Sequence, residues 1–478
     1  MKRSRFMLIL LLMLTVTLPA VAADFAFHGD MNNRFLLYTN RQDWLTPEQQ
    51  GKINSEDVDE TYGELKYRFW FDAASNDNKV RGVYAIEIGG IRFGREGSGK
   101  GQGGSFSGDG ANVETRWAYL DLQIPNVETL ARFRMGLMPV DVNEFLWQET
   151  AAGVFYDGQP NDFLAYQLGW IRGIDRLDSD LLPSSWGDQD NFLLRFNLMP
   201  GDSTKVGLFG LYQTGDAQDT TAANNNVIAP RSYLLKQFAG TVEHQIYTIG
   251  VDGGTKYGTF FVNWNLMYQG GDFDNVIYDD ATGNGVSGIG PLPARDYDLK
   301  AYFGEVDLGL SLGKGTLTGT FWYASGDDNP NDDEFNGFLA TDLDRADNIG
   351  IFEGLFTDDA TYFTERPYLL DKGFVMLKLA YDHQLTEKLK LGGAGMYMET
   401  AEDITYTDFN GTLRSNSDVG FEFDAYATYM IFPNVEWSVN IGYLFAGDAL
   451  DAFEVGDLQD GKSDEDIWGS SMRIRYKF

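Results

Sequence analysis

The chain has 478 residues, no cysteine, a formal net charge of −34 and an aromatic content of 14%. The missing cysteines exclude disulfide stapling, thiolate zinc sites, Fe–S clusters and covalent haem attachment. The acidity disfavours nucleic acid as a partner, and the aromatic content argues against a disordered chain.

The first residues read as an export address. Lys2, Arg3 and Arg5 form a basic start, and Phe6–Leu18 is an apolar run of 13 residues. That is the length of a signal-peptide core and too short to span a bilayer as a helix. Ala20, Val21 and Ala22 supply the small residues of a cleavage site, so residues 1–23 are expected to be removed and 24–478 to form the mature domain. Losing the three cations takes the net charge from −34 to −37. No later stretch approaches the roughly 18 apolar residues of a membrane helix. The mature chain is therefore soluble outside the cytoplasm, or it crosses a membrane as strands.

Period-two alternation recurs along the chain and places successive side chains on opposite faces of strands. In Tyr62–Ala73, Leu65, Tyr67, Phe69 and Phe71 alternate with Glu64, Lys66, Arg68 and Trp70. Phe260–Gln269, Phe421–Ile431 and Trp437–Phe445 repeat the pattern. The apolar faces last about 9–12 residues, the length of a tilted membrane strand, and aromatics gather near the strand ends. Short connections rich in Gly, Pro, Asn and Asp lie at Ala74–Lys79, Pro125–Thr129, Pro200–Thr204, Asp252–Thr255, Gly313–Gly315, Gln384–Glu387 and Phe432–Val435. Long polar loops lie between them, at Arg41–Thr61, Gly94–Asn112, Pro139–Gln189, Gly215–Gly240, Gly271–Asp298, Gly326–Asp371, Thr400–Val419 and Gly447–Glu465. This rhythm predicts an all-β, antiparallel transmembrane barrel of about 16 strands, with short periplasmic turns and long extracellular loops. Phe163–Asp175 also alternates weakly; paired near Gly153–Tyr156, it would make 18 strands.

The last strand, Ile467–Phe478, carries an outward row that ends in Tyr476 and Phe478. A terminal Phe after alternating apolar residues resembles the assembly signal of outer-membrane barrels. In strand rhythm, terminal Phe478 and long third loop, the mature chain resembles the general-diffusion porins of Gram-negative outer membranes. The resemblance implies a homotrimer in outer-membrane lipid and lipopolysaccharide, inserted by the barrel-assembly machinery, without cofactor. It also makes residues 139–189 the candidate constriction loop.

A channel works through a radius and a field, so inward charges are the candidate site. Alternation turns Arg34, Lys66, Arg68, Arg81, Arg116, Arg132, Arg134, Arg473 and Arg475 into the lumen on six neighbouring strands, as one basic wall. Glu305, Asp307, Glu422 and Asp424 are the inward acids further round, and Asp141, Glu144, Glu149, Asp157 and Asp162 belong to the third loop. Opposed charged surfaces would orient water and small polar solutes; the bland account is a set of local cross-strand ion pairs. The acidic loops lack the spacing of an EF-hand, so no metal site is expected. His28, His244 and His383 lie apart near strand ends, and no catalytic motif is present. The expected function is passive diffusion of ions and small polar solutes. The rivals are a channel selective for organic anions, and a non-transport barrel such as an adhesin or an electron-conduit sheath.

Overall fold

A strand in hydrocarbon has no water to satisfy its N–H and C=O groups, so the sheet that crosses must close on itself. The computed structural model describes residues 23–40, 60–96, 103–106, 111–174, 189–215, 243–276, 295–329, 331–343, 367–454, 456–464 and 466–478. The expected export segment lies outside them. The strands are β1 (Ala23–Tyr38), β2 (Glu60–Ser75), β3 (Val80–Arg92), β4 (Val113–Gln123), β5 (Leu130–Asn143), β6 (Trp147–Gln159), β7 (Leu164–Ile174), β8 (Gln189–Gly201), β9 (Thr204–Gly215), β10 (Glu243–Tyr257), β11 (Phe260–Val276), β12 (Arg295–Leu312), β13 (Gly315–Ala324), β14 (Glu334–Phe335), β15 (Asp342–Leu343), β16 (Phe374–Gln384), β17 (Leu389–Thr407), β18 (Leu413–Phe432), β19 (Val435–Ala446) and β20 (Ile467–Lys477). Each wall strand pairs antiparallel with the next, β13 pairs with β16, and β20 returns to β1. The wall is thus a closed antiparallel barrel of 18 strands. The two-residue β14 and β15 are extra; they lie in the β13–β16 connection and pair in parallel with β12 and β6.

The 18-strand alternative is the one observed, in place of 16. The weakly alternating stretch after Phe163 is β7, and it pairs with β6 through Gly153↔Ile171 and Tyr156↔Leu168. Residues 139–189 are therefore not one excursion: most of the stretch is wall. An inserted strand pair preserves parity, so the short turn after Gly201 stays on the same side as the others. The turn expected at Asp252–Thr255 lies instead between Tyr257 and Phe260. Gly253 (φ +151°) sits inside β10, where a built Cβ would come within 2.2 Å of the Lys205 carbonyl oxygen. That glycine serves a close approach of strands, not a turn. Much of the loop expected at Thr400–Val419 is strand, since β17 runs to Thr407 and β18 begins at Leu413.

The outer face is apolar. Phe133 (41% exposed), Leu308 (61%) and Leu379 (59%) are typical of it. Rings form bands at both ends of the wall. Tyr247, Tyr268 and Tyr302 follow one another at 6.1 and 5.2 Å on the long-loop side. Phe133, Tyr156 and Tyr166 do so at 5.2 and 5.7 Å on the short-turn side. This is the exterior of a wall facing lipid. No helix among the described residues is long and apolar enough to cross a membrane.

The seam joins the two ends of the chain. Gly29 and Phe478 exchange backbone hydrogen bonds at 2.9 and 3.0 Å. The Phe478 ring lies over Gly29 and beside Phe27, at 5.5 Å between centroids. A Cβ on Gly29 would fall 2.4 Å from that ring. Replacing Gly29 with Val should therefore displace Phe478 and cost about 1–3 kcal/mol, as overpacking does. Gly82→Ala, where a Cβ meets nothing within 4 Å, should cost far less. Urea titration of the refolded barrel checks this; equal midpoints for the two variants would show that the seam tolerates the clash.

Candidate permeation site

The apolar exterior dictates where charge goes. An Arg facing lipid near the midplane costs about 2–4 kcal/mol, so charged side chains on wall strands point inward. The basic residues named from the sequence lie on β20, β1, β2, β3, β4 and β5, six consecutive strands of the ring. The wall is paired throughout. Arg34 meets Glu64 at 2.7 Å. Lys66, Arg68 and Arg116 converge on Glu87 at 3.4, 2.6 and 3.1 Å. Arg81 pairs with Asp72, Arg132 with Asp121 (2.6 Å) and Arg134 with Asp157 (2.6 Å). Arg473 pairs with Glu436 (2.9 Å), and Arg475 with Asp30 (2.6 Å). The inward row is thus a ladder of alternating charge, with its cations held in place by lateral bonds.

The acids fall into three groups. Glu305 and Asp307 lie on β12, nine strands round the ring from β3 in either direction, so they stand opposite the middle of the basic wall. Glu422 and Asp424 are buried on β18, two strands from β20, beside the wall and not across from it. The third-loop acids are split up. Glu149 and Asp157 belong to β6 and pair sideways with Arg116 (3.5 Å) and Arg134. Asp162 is exposed at the short β6–β7 turn, where the Asn161 side chain caps Phe163 and Leu164, so it is not lumenal. The reason is common to all three: this part of the expected constriction loop is wall. Only Asp141 and Glu144 travel into the lumen.

They travel with the β5–β6 hairpin tip. Asn143 donates to Asp252 on β10 (3.2 Å) and to Asn265 on β11 (2.8 Å). Phe145 packs between Phe303 of β12 and Trp322 of β13, at 4.8 and 4.9 Å. Arg195 of β8 holds both Asp252 oxygens (2.8 and 2.7 Å) and donates to the Val142 carbonyl (2.8 Å). The long β13–β16 connection joins the hairpin. Thr341 donates its N–H to the Leu146 carbonyl (2.7 Å), and Gln269 clasps the backbone of Leu339 through both ends of its amide (2.8 Å each). Phe338 stacks against Phe303 at 5.1 Å. Hairpin and connection thus belong to an apolar core that packs against β9–β13 and continues over β16–β19 to Ile467 on β20.

Beneath the hairpin lies a cavity of about 740 Å³. Asp141, Glu144, Asp157, Asp252, Glu305 and Asp307 line it, with Arg195 as the one cation of the lining. Arg195, Asp252, Asn143 and Asn265 were not singled out from the sequence. The signal for Arg195 was an arginine inside the apolar run Phe192–Phe196, which on a lipid-facing wall must turn inward.

No family model matches the chain, and no curated protein matches it by sequence. Among solved structures it is similar to the outer membrane protein OprD from Pseudomonas aeruginosa. The identity is 10%, covering 96% of this chain and 95% of that chain, with a TM-score of 0.53. It is similar also to OccK8 (OprE) from Pseudomonas aeruginosa, at 11% identity over 95% of this chain and 98% of that chain, with a TM-score of 0.50. The fold is that of the OprD-type outer-membrane barrel. Its 18 strands are shared at an identity too low to carry residue roles across.

The connection between β13 and β16 is clipped at its base. Asp327 is buried at 1% exposure; its N–H donates to the Asp371 carbonyl (2.7 Å), and Lys372 donates to the Asp327 carbonyl (2.7 Å). Lys372 also meets the Asp371 carboxylate at 3.1 Å. Burial, then the neighbouring Asp371 carboxylate, pushes the Asp327 carboxyl up to about 7; Lys372 opposes the rise and Asp332 adds to it. Glu402 of β17 donates its N–H to the Lys372 carbonyl (2.9 Å).

Two predictions follow from these anchors. Arg195→Gln leaves Asp252 without its bidentate partner. It should weaken the hairpin anchorage by about 2 kcal/mol, below the cost of breaking a fully buried pair. Single-channel current should become larger and noisier, and an unchanged trace would remove Arg195 as the latch. For Asp327 the folded value lies above the ordinary 3.8. The clip therefore holds fully below about pH 4, and its stabilisation is lost as pH climbs through about 7. Gating noise should rise across that window in the parent and stay flat in Asp327→Asn.

Proposed function

We propose that this chain is an outer-membrane channel for passive diffusion of ions and small polar solutes. The observation that carries this reading is the off-centre filling of the lumen. The hairpin and the β13–β16 connection pack against β9–β13, and on the charged ladder Arg34, Lys66 and Arg473 are buried while its other members stay partly open to water. Arg68, Arg81 and Arg134 keep 26%, 37% and 24% of their side chains accessible. A path along that ladder is polar and narrow, which admits hydrated solutes and disfavours apolar ones.

The charge balance favours general passage over retention of an organic anion. Each named cation already has a carboxylate partner, and a free anion would have to displace it. Export by a cleaved leader, recognition of Tyr476 and Phe478 by the assembly machinery, and a trimeric state in lipid and lipopolysaccharide complete the reading. They are supported by the sequence features described above.

Recording from the pure protein in a planar bilayer tests the channel directly. Steady ohmic conductance is expected, and its absence in correctly folded protein would remove the proposal. Arg132→Gln with Arg134→Gln should shift reversal potential toward cation preference, because Asp121 and Asp157 lose their partners. The shift should be larger at low salt, since screening shortens the reach of these charges to about 8 Å at physiological ionic strength. Equal selectivity in parent and variant at low salt would show the two arginines to be structural alone.

A further inference from the structure

An amide stands at mid-height on the outward face of the wall. Arg34 of β1 meets Glu64 inside the lumen, so its chain neighbour Asn33 turns to the lipid side, in one row with Met31 and Phe35. Its direct partners are Leu65 of β2 and Ile474 of β20. The outward row of β20 runs from Phe478 and Tyr476 at the short-turn end to Trp468 at the long-loop end, and Ile474 stands between them. Asn33 is therefore level with hydrocarbon. The outward rows of β8, β12 and β16 meet lipid with Leu194, Leu308 and Leu379.

An asparagine side chain has two N–H donors and two acceptor positions. Here one bond is made: the Tyr67 hydroxyl of β2 donates to Asn33 Oδ1 at 3.0 Å. The N–H donors and the second acceptor position have no partner among the described residues. Lipid tails offer none, and an amide left unpaired in hydrocarbon is costly. Asn is also too short to carry its polar end to the headgroups, as Lys and Arg do. Whatever covers Asn33 must bring hydrogen-bonding groups into the membrane on an apolar surface. The surroundings say what that is. Met31, Phe35, Leu65 and Ile474 around it are uncharged, so two such faces do not repel each other. Ser470 of β20, beside Leu37 on the same face, adds a second uncharged polar group. A primary amide is donor and acceptor at once, so it complements itself: the N–H of one copy fits the open Oδ1 position of the next, about a twofold or a threefold axis alike.

We propose that the outward face of β20, β1 and β2 is the surface through which copies of this chain associate in the membrane, with their Asn33 amides bonded to one another across the contact. The inference gives the oligomer of the channel reading a face, and it rests on that reading for its biological use. The apolar side chains around Asn33 supply contact area. The amide supplies register, because sliding one face past the other returns it unpaired to hydrocarbon, as a buried Asn fixes the register of paired helices. Tyr67 holds the amide in place before the contact forms.

The chain has no cysteine, so single substitutions can be cross-linked without background. The full-length variants Asn33→Cys and Ile249→Cys are reconstituted in liposomes and oxidised. Ile249 is exposed on the outward face of β10, across the ring from β1. Disulfide-linked pairs are expected from Asn33→Cys and not from Ile249→Cys. Parent and Asn33→Leu are then compared by sedimentation equilibrium in detergent, with circular dichroism to show that both barrels are folded. Asn33→Leu should raise the dissociation constant about fivefold, the scale of a polar contact between membrane segments. A parent that is monomeric at every concentration, equal dissociation of parent and Asn33→Leu, or cross-linking no better in Asn33→Cys than in Ile249→Cys would overturn the interface. Conductance of the same liposomes is read separately. An associated protein that carries no current would defeat the channel reading and leave the interface standing.

Discussion

The rest of this structure depends on backbone pairing in a medium without water. An unpaired peptide group in hydrocarbon costs several kcal/mol, so a sheet with an edge cannot cross. Closure forces the first and last strands together, and the chain meets that demand at Gly29 and Phe478. The ring of the last residue covers a position with no side chain of its own. Closure also sorts the side chains. Once the outer face belongs to lipid, charges near the midplane of a wall strand are sent to the lumen, and those left outside, such as Arg172 and Asp190 beside Trp170, sit paired at the strand ends.

A lumen crowded with charge is stable only if the charges meet one another. Burying an unpaired charge is expensive, and a paired one roughly breaks even. The ladder from β20 to β5 follows this rule; Glu87 alone gathers Lys66, Arg68 and Arg116. The other half of the lumen is solved differently. There Phe145, Phe303, Trp322 and Phe338 build a packed core of the sort found in soluble proteins. Amide side chains tie it to the wall, as Gln269 does at Leu339. One side of the lumen carries the ionic ladder, and the other combines an apolar core with an acidic cavity beneath the hairpin.

The barrel was legible in the sequence because lipid enforces strict alternation. Phe133 and Met135 against Arg132 and Arg134 can be read in only one way. Arg116, beside an irregularity of β4, reaches Glu87 of β3 at 3.1 Å, whereas Asp162 stands exposed at the β6–β7 turn. Inserted pieces were not legible. Alternation gives the face of a residue but says nothing about which strands stand across the lumen from each other. The partners of Asn143 lie more than a hundred positions away, on β10 and β11. The strand count slipped for a related reason. Around Gly153, Gly158 and Gly169 both rows are thinned by glycines: Gly158 lies on the outward row against the Tyr166 ring, and Gly169 on the inward row against the buried Phe155. A row without side chains does not alternate visibly. The same ambiguity made Asp252–Thr255 look like a turn.

Pairing also changes where a selective field can come from. An arginine bonded to a carboxylate at 2.6–2.9 Å acts on a passing ion as a dipole, whose field falls faster with distance than that of a lone charge. The basic side of the lumen is therefore weaker than its row of arginines suggests. Across from it, Asp141, Glu144, Glu305 and Asp307 share one cavity with a single arginine, and that arginine is already committed to Asp252. These carboxyl groups are satisfied by hydrogen bonds from amides and hydroxyls, as when Asn265 donates to Glu305 (2.9 Å) and Thr320 to Asp307 (2.5 Å). Such donors stabilise a carboxylate without cancelling its charge. In this cavity six carboxyl groups stand against one arginine, although the sequence draws the eye to the arginines of the ladder.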